Sequence, residues 1–126
     1  GAGHQLKLLH NFVSRGFSAV LAEAAACAER AQVDSGVFLD VLSKGGGNSV
    51  VLERLRPYIE AHDITAFRFS IANALKDIGY YTTMAGEIGA SRTTAEAIRQ
   101  TFEQAVAGGH GQQTVPEIIA VLAGNR

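Results

Sequence analysis

Two short stretches carry the residues able to do chemistry. In "GAGHQLKLLHN" Lys7 and Asn11 stand four residues apart, and in "FSIANALKDIG" Lys76 and Asp77 interrupt an otherwise apolar run that Phe69 opens. On a helix, a spacing of four puts Lys7 and Asn11 on one face a turn apart, and Arg15 continues that line. An ammonium held on a rigid helix at a cleft can polarise a carbonyl or exchange a proton with it, while a neighbouring amide holds the same molecule by hydrogen bonds. The same residues also fit a solvated ridge whose lysine snorkels to water, and residue type and spacing leave both readings open. Lys76 and Asp77 are adjacent, so on a helix they do not face each other and each must find its own partner. Phe69 lies eight residues before Asp77, which places it about two turns up the same face of a helix.

Other chemistries find little support. His4 and His10 are six apart and do not share a helical face, and His62 and His110 fall in loops, so no zinc site is expected. Ser14, Ser18 and Cys27 have no histidine at a usable helical spacing, so nucleophilic catalysis finds no support. The lone Cys27, inside "AEAAACAER", reads as a small buried apolar side chain in a reducing, cytoplasmic compartment. With 11 Lys and Arg against 12 Asp and Glu, the net charge of -1 gives no general attraction to nucleic acid or anionic lipid. No uncharged apolar run is long enough to span a membrane, and no signal-peptide pattern opens the chain. "KGGGNS" is glycine-rich but follows no strand, so it reads as a loop between helices; the chain carries no dinucleotide-binding turn of its own.

The elements that must position these residues are helical. At 47% hydrophobic, 126 residues suffice for one domain with a genuine core. Leu6, Leu9, Val13, Val20 and Ala24 recur at helical spacing between Leu6 and Arg30, predicting a helix of about 25 residues, roughly 37 Å long. Leu8, Phe12, Phe17, Ala19 and Leu21 fall off that stripe, so this helix is apolar on most of its circumference and should be central. A short helix follows over Val37 to Leu42, capped near Asp34 or Ser35, and another through "VVLERLRPYIE", capped by Asn48 or Ser49, which Pro57 should stop or bend. A second long helix runs from about Phe69 to Ile88 and ends at Gly89. "SRTTAEAIRQTFEQAVAGG" offers a cap at Ser91 or Thr93, a stripe of Ala95, Ile98, Phe102 and Val106, and a double-glycine stop. In "TVPEIIAVLAG", Thr114 and Glu117 form a capping-box pattern with Pro116 in the first turn. The expected fold is all-α, with about six helices and the second long one packed on the first.

"GAGHQLKLLHN" resembles the GxGxxxKxxxN motif that opens the C-terminal helical domain of the β-hydroxyacid dehydrogenases, relatives of 3-hydroxyisobutyrate and 6-phosphogluconate dehydrogenase, and "FSIANALKDIG" resembles the same domain's KDL segment. The resemblance covers essentially all of residues 1–126. It implies an NAD(P)-dependent oxidoreductase in which Lys7 is the general acid/base. Asn11, Phe69 and Asp77 bind substrate or support the lysine, and Lys76 reaches the cofactor. The implied partners are a small hydroxy acid, the enzyme's own N-terminal Rossmann domain, absent from this chain, and further subunits joined through the long first helix. On this reading the chain is the substrate-binding and oligomerisation domain and is inactive by itself; the alternative is a non-enzymatic dimerisation or small-acid-binding module of the same fold. The chain departs from the pattern at His10, where many members have asparagine, in lacking a proline within "GASRTTAE", and at Thr114, where "GQQT" replaces GxxD. Since Thr and Asp both cap helices, the last exchange is expected to be mild.

Overall fold

The computed structural model describes residues 1–124, and among them every regular element but one isolated bridge is helical. The α-helices are α1 (Ala2–Arg30), α2 (Ser35–Ser43), α3 (Val50–Ala61), α4 (Ile71–Glu87), α5 (Thr93–Ala105) and α6 (Ile118–Leu122), with a π-helical turn at Val106–His110 and a 3-10 turn at Val115–Glu117. The all-α expectation holds, and α1 is central: it packs against all five other α-helices.

α1 is 29 residues long and starts four residues before Leu6, because nothing in "GAGHQ" blocks a helix and Gln5 N–H already donates to Gly1 C=O at 3.1 Å. Its buried face is Leu8, Gly16, Ser18, Ala19, Leu21, Ala22, Ala25 and Ala26. The small residues let neighbours come close: a Cβ on Gly16 would lie 3.0 Å from Ile98 Cδ1 of α5. The stripe of Leu6, Leu9, Val13 and Val20 is therefore the outer face, and Val20 is 64% exposed. Periodicity located both faces, and the alanines decided which one packs.

Two caps fall as expected, Asp34 accepting from Val37 N–H at 3.1 Å and Ser49 from Leu52 N–H at 3.0 Å. Others do not. α3 runs through Pro57 to Ala61, since burial of Val51, Leu52, Leu55 and Tyr58 on one face outweighs the roughly 3 kcal/mol that an interior proline costs. α4 begins at Ile71 because Ser70 caps it, accepting from Asn73 N–H. α5 is preceded by Arg92, with no side-chain cap from Ser91 or Thr93. Thr114 does not cap either, and its buried Oγ1 has no partner among the described residues. An N-cap side chain needs the amide of the second or third helical residue; the second is Pro116, and Glu117 N–H already donates to Thr114 C=O. Cys27 is exposed, not buried, because it points away from the alanine-rich face.

The core is continuous. Phe102, Leu39, Leu52, Leu55, Ile71, Ile78, Ile118 and Val115 are fully buried at its centre. The segment ahead of α4 is tied to the C-terminal turn: Val115 N–H donates to Phe69 C=O at 2.8 Å and Ile71 N–H to Gln113 C=O at 2.9 Å. No helix among the described residues is long and apolar enough to cross a membrane.

Candidate functional site

The ridge that begins at Lys7 changes character along α1. Lys7 is exposed, and among the described residues its ammonium makes no hydrogen bond or ion pair. Asn11, one turn on, is half-buried with its Oδ1 3.4 Å from His10 Nδ1. Arg15, another turn on, is largely inside, its side chain only 14% exposed. A wet ridge would stay wet along its length; this one dives into the bundle.

What meets Arg15 there is the second candidate cluster. Asp77 on α4 lies 3.0 Å from Nη2 and accepts from Nε at 3.2 Å, and the guanidinium lies over the Phe69 ring at 4.1 Å from its centroid. Its remaining terminal nitrogen, Nη1, donates to Ser14 Oγ at 3.2 Å. Phe69 does this from the non-helical chain just ahead of Ser70, which bridges to Thr114, and not from a helical face. Its ring stacks on Phe67, with centroids 6.4 Å apart, and Arg54 of α3 sits 5.8 Å from the Phe67 centroid. One turn from Arg15, Phe12 stacks on Tyr81 at 4.2 Å, fixing α1 against α4.

The structure thus joins Phe69 and Asp77, but through Arg15. Among the described residues, no hydrogen bond or ion pair links Lys7 or Lys76 to any side chain. Lys76 is exposed next to the buried-side Asp77, so the two diverge as adjacent helical residues must. Arg15 was legible only as the third member of a ridge; the signal that could have promoted it is a lone carboxylate, Asp77, on the other long apolar helix.

Beside this cluster a cleft of about 420 Å³ opens between α1 and the N-terminus of α3. His10, Ser14, Arg15, Ser49 and Arg54 supply its polar lining, and Phe17 and Phe67 much of the rest. Lys7 is not part of that lining; it stands at the open end of α1 about 10 Å along the axis from Ser14. An ammonium there can work as an acid or base only if another surface closes over it and excludes water.

The family described as NAD-binding of NADP-dependent 3-hydroxyisobutyrate dehydrogenase matches residues 1–122. The chain is 28% identical over 124 residues to an L-threonate dehydrogenase of Cupriavidus necator, an alignment that takes in 98% of this chain and 41% of that protein. A crystal structure of 3-hydroxyisobutyrate dehydrogenase from Salmonella typhimurium superposes with a TM-score of 0.88 at 27% identity, over 96% of this chain and 42% of that one. The Mycobacterium tuberculosis 3-hydroxyisobutyrate dehydrogenase with L-serine has a TM-score of 0.81 at 22% identity, over 97% of this chain and 44% of that one, a likeness of fold. The chain spans about two fifths of the length of these relatives.

Proposed function

This chain belongs to the family described as NAD-binding of NADP-dependent 3-hydroxyisobutyrate dehydrogenase, and on that premise we propose that it is the helical, substrate-facing domain of an NAD(P)-dependent dehydrogenase. The enzyme interconverts a small hydroxy acid and the matching aldehyde or keto acid. The observation that carries the reading is the Lys7 ammonium, without a hydrogen-bond or ion-pair partner among the described residues and held one turn from Asn11 on a 29-residue helix that Arg15, Phe12 and the core fix in place.

The roles follow from the chemistry of each group. When the carbonyl is reduced, Lys7 gives its proton to the developing alkoxide oxygen; when the alcohol is oxidised, the neutral amine takes that proton back. Asn11, with a donor and an acceptor on one amide, orients the substrate beside the lysine. A nicotinamide cofactor, when bound, would supply or accept the hydride. The residues present fit one part of such a cofactor: Lys76 is an exposed cation with no carboxylate partner among the described residues, suited to a phosphate oxygen. On this reading a glycine-rich turn of a Rossmann half would hold the rest of the cofactor. Asp77 and Phe69 shape the site by holding Arg15, and their support does not pass directly to Lys7.

The outer face of α1 favours a second role in the same enzyme. Leu6, Leu9, Val13, Phe17 and Val20 form a continuous exposed apolar stripe, of the kind that subunit interfaces cover. A cytoplasmic setting suits the exposed, unpaired Cys27. The test of the function is an assay of the complete dehydrogenase with NAD⁺ or NADP⁺ and a series of short 3-hydroxy acids, following the reduced nicotinamide. Acid-dependent reduction is expected; a folded protein that reduces neither cofactor with any of the acids would overturn the reading.

A further inference from the structure

We infer that Arg15 is a positioning residue for the reaction. Its clamp on Asp77 fixes the level at which α1 stands along α4, and so the separation between Lys7, proposed to move the proton, and Lys76, proposed to meet the cofactor. The inference rests on the proposed function and adds the device that holds its two halves in register.

The two long helices run antiparallel. Arg15 meets Asp77, Phe12 meets Tyr81, and Leu8 and Met84 line one open groove, so residue numbers fall along α1 as they rise along α4. Lys7 is eight residues before Arg15, about 12 Å along the helix axis, whereas Lys76 is the immediate neighbour of Asp77. The α4 residue that catches Arg15 therefore sets how far Lys7 stands from Lys76.

Little else on α1 is built to fix that level. Its buried face beyond Leu8 consists of Gly16, Ser18, Leu21 and alanines, mostly small side chains whose packing is non-directional. Ser18 turns its hydroxyl back to Ser14 C=O of its own helix at 3.2 Å. Among the described residues, the hydrogen bond and ion pair that join α1 to α4 are those of Arg15 with Asp77.

The clamp is directional on every side. Nε and Nη2 both reach Asp77 Oδ2, at 3.2 and 3.0 Å, Nη1 donates to Ser14 Oγ, and Phe69 covers the guanidinium face at 4.1 Å. Phe69 is anchored outside both helices, its carbonyl accepting from Val115 N–H at 2.8 Å. A rigid fork of donors on one carboxylate oxygen fits one register, which a flexible ammonium would not define. A slip of one helical turn would carry Lys7 about 5 Å, and a misplacement of about 1 Å is enough to cost roughly a hundredfold in rate. The acid's proposed ligands, Lys7 and Asn11, share α1, and the cofactor's, Lys76, is on α4, so each half outlasts loss of the clamp. What suffers is their mutual placement.

The experiment compares the complete dehydrogenase with its Arg15→Gln and Arg15→Lys variants, using a 3-hydroxy acid that the wild type oxidises. Active sites are counted by cofactor titration, so that unfolded protein does not register as lost turnover. In both variants kcat per cofactor site should fall about tenfold or more, while KM for the acid and Kd for the cofactor stay within about twofold. Crystal structures of the variants should show Lys7 displaced along α4 by about 1 Å or more. Wild-type kcat in Arg15→Lys would mean that charge alone suffices, and a rise in KM matching the fall in kcat would make Arg15 part of the acid's own site; either overturns the inference. An unmoved α1 does the same. A wild type that oxidises none of the acids overturns the proposed function and this inference with it, whereas a working wild type matched by both variants overturns the inference alone.

Discussion

Arg15 and Asp77 are the pair on which the candidate site turns. Partly buried ion pairs are worth more than surface ones, yet at 14% and 21% side-chain exposure water still screens this one. A double-mutant cycle of Arg15→Gln and Asp77→Asn, read by urea unfolding, should give a coupling of about 1 kcal/mol; a coupling near zero would mean the pair positions nothing. That Lys7 and Asn11 share one helical face a turn apart was legible from spacing, because both lie on one helix whose geometry the sequence dictates locally. Asp77's partner was not, since Arg15 lies 62 residues away and only packing brings them together. The same holds for Phe69, whose place on a helix was a reasonable extrapolation that the Ser70 cap cut short.

Helix boundaries show where local rules prevail and where they yield. Asp34 and Ser49 cap as their types predict, and Ser49→Ala should cost about 1 kcal/mol in thermal or denaturant unfolding. Thr114 has the right type and spacing but no free amide to serve, so its buried hydroxyl has no partner among the described residues. Thr114→Val keeps the shape and removes the orphan, and should leave stability unchanged or raise it by up to about 1 kcal/mol; a loss beyond that would reveal a partner for the hydroxyl. Pro57 is the reverse case, a local veto overruled because α3 has Tyr58 to bury just past it. Burial, with the carboxylates of Glu117 and Glu29 behind it, pushes the Tyr58 hydroxyl above its usual 10.0. The folded state therefore favours the neutral phenol, a contribution fully present below pH 10 and lost as pH rises through the folded value. Denaturant midpoints should fall more steeply above pH 10 than in Tyr58→Phe, and identical slopes would remove this group from the account.

At the scale of the whole molecule the helical class and the central first helix could be read in advance, since a 3.6-residue period runs through nearly every segment. Which side of α1 faces inward could not, because both sides are apolar; the alanines and Gly16 win the interior because helices approach them closely, leaving Leu6, Leu9, Val13, Phe17 and Val20 outside. That outer stripe, the exposed Lys7 and Lys76, which has no carboxylate partner among the described residues, are what the proposed function expects of a domain that completes its site against other surfaces. The claim at the centre is that Lys7 moves the substrate's hydroxyl proton, and steady-state turnover of the complete dehydrogenase carrying Lys7→Ala tests it most directly. The account predicts a fall in kcat of about a hundredfold or more, typical of a lost general acid/base, with cofactor binding and helical content unchanged. A fall far short of a hundredfold in a protein that still binds cofactor would contradict it.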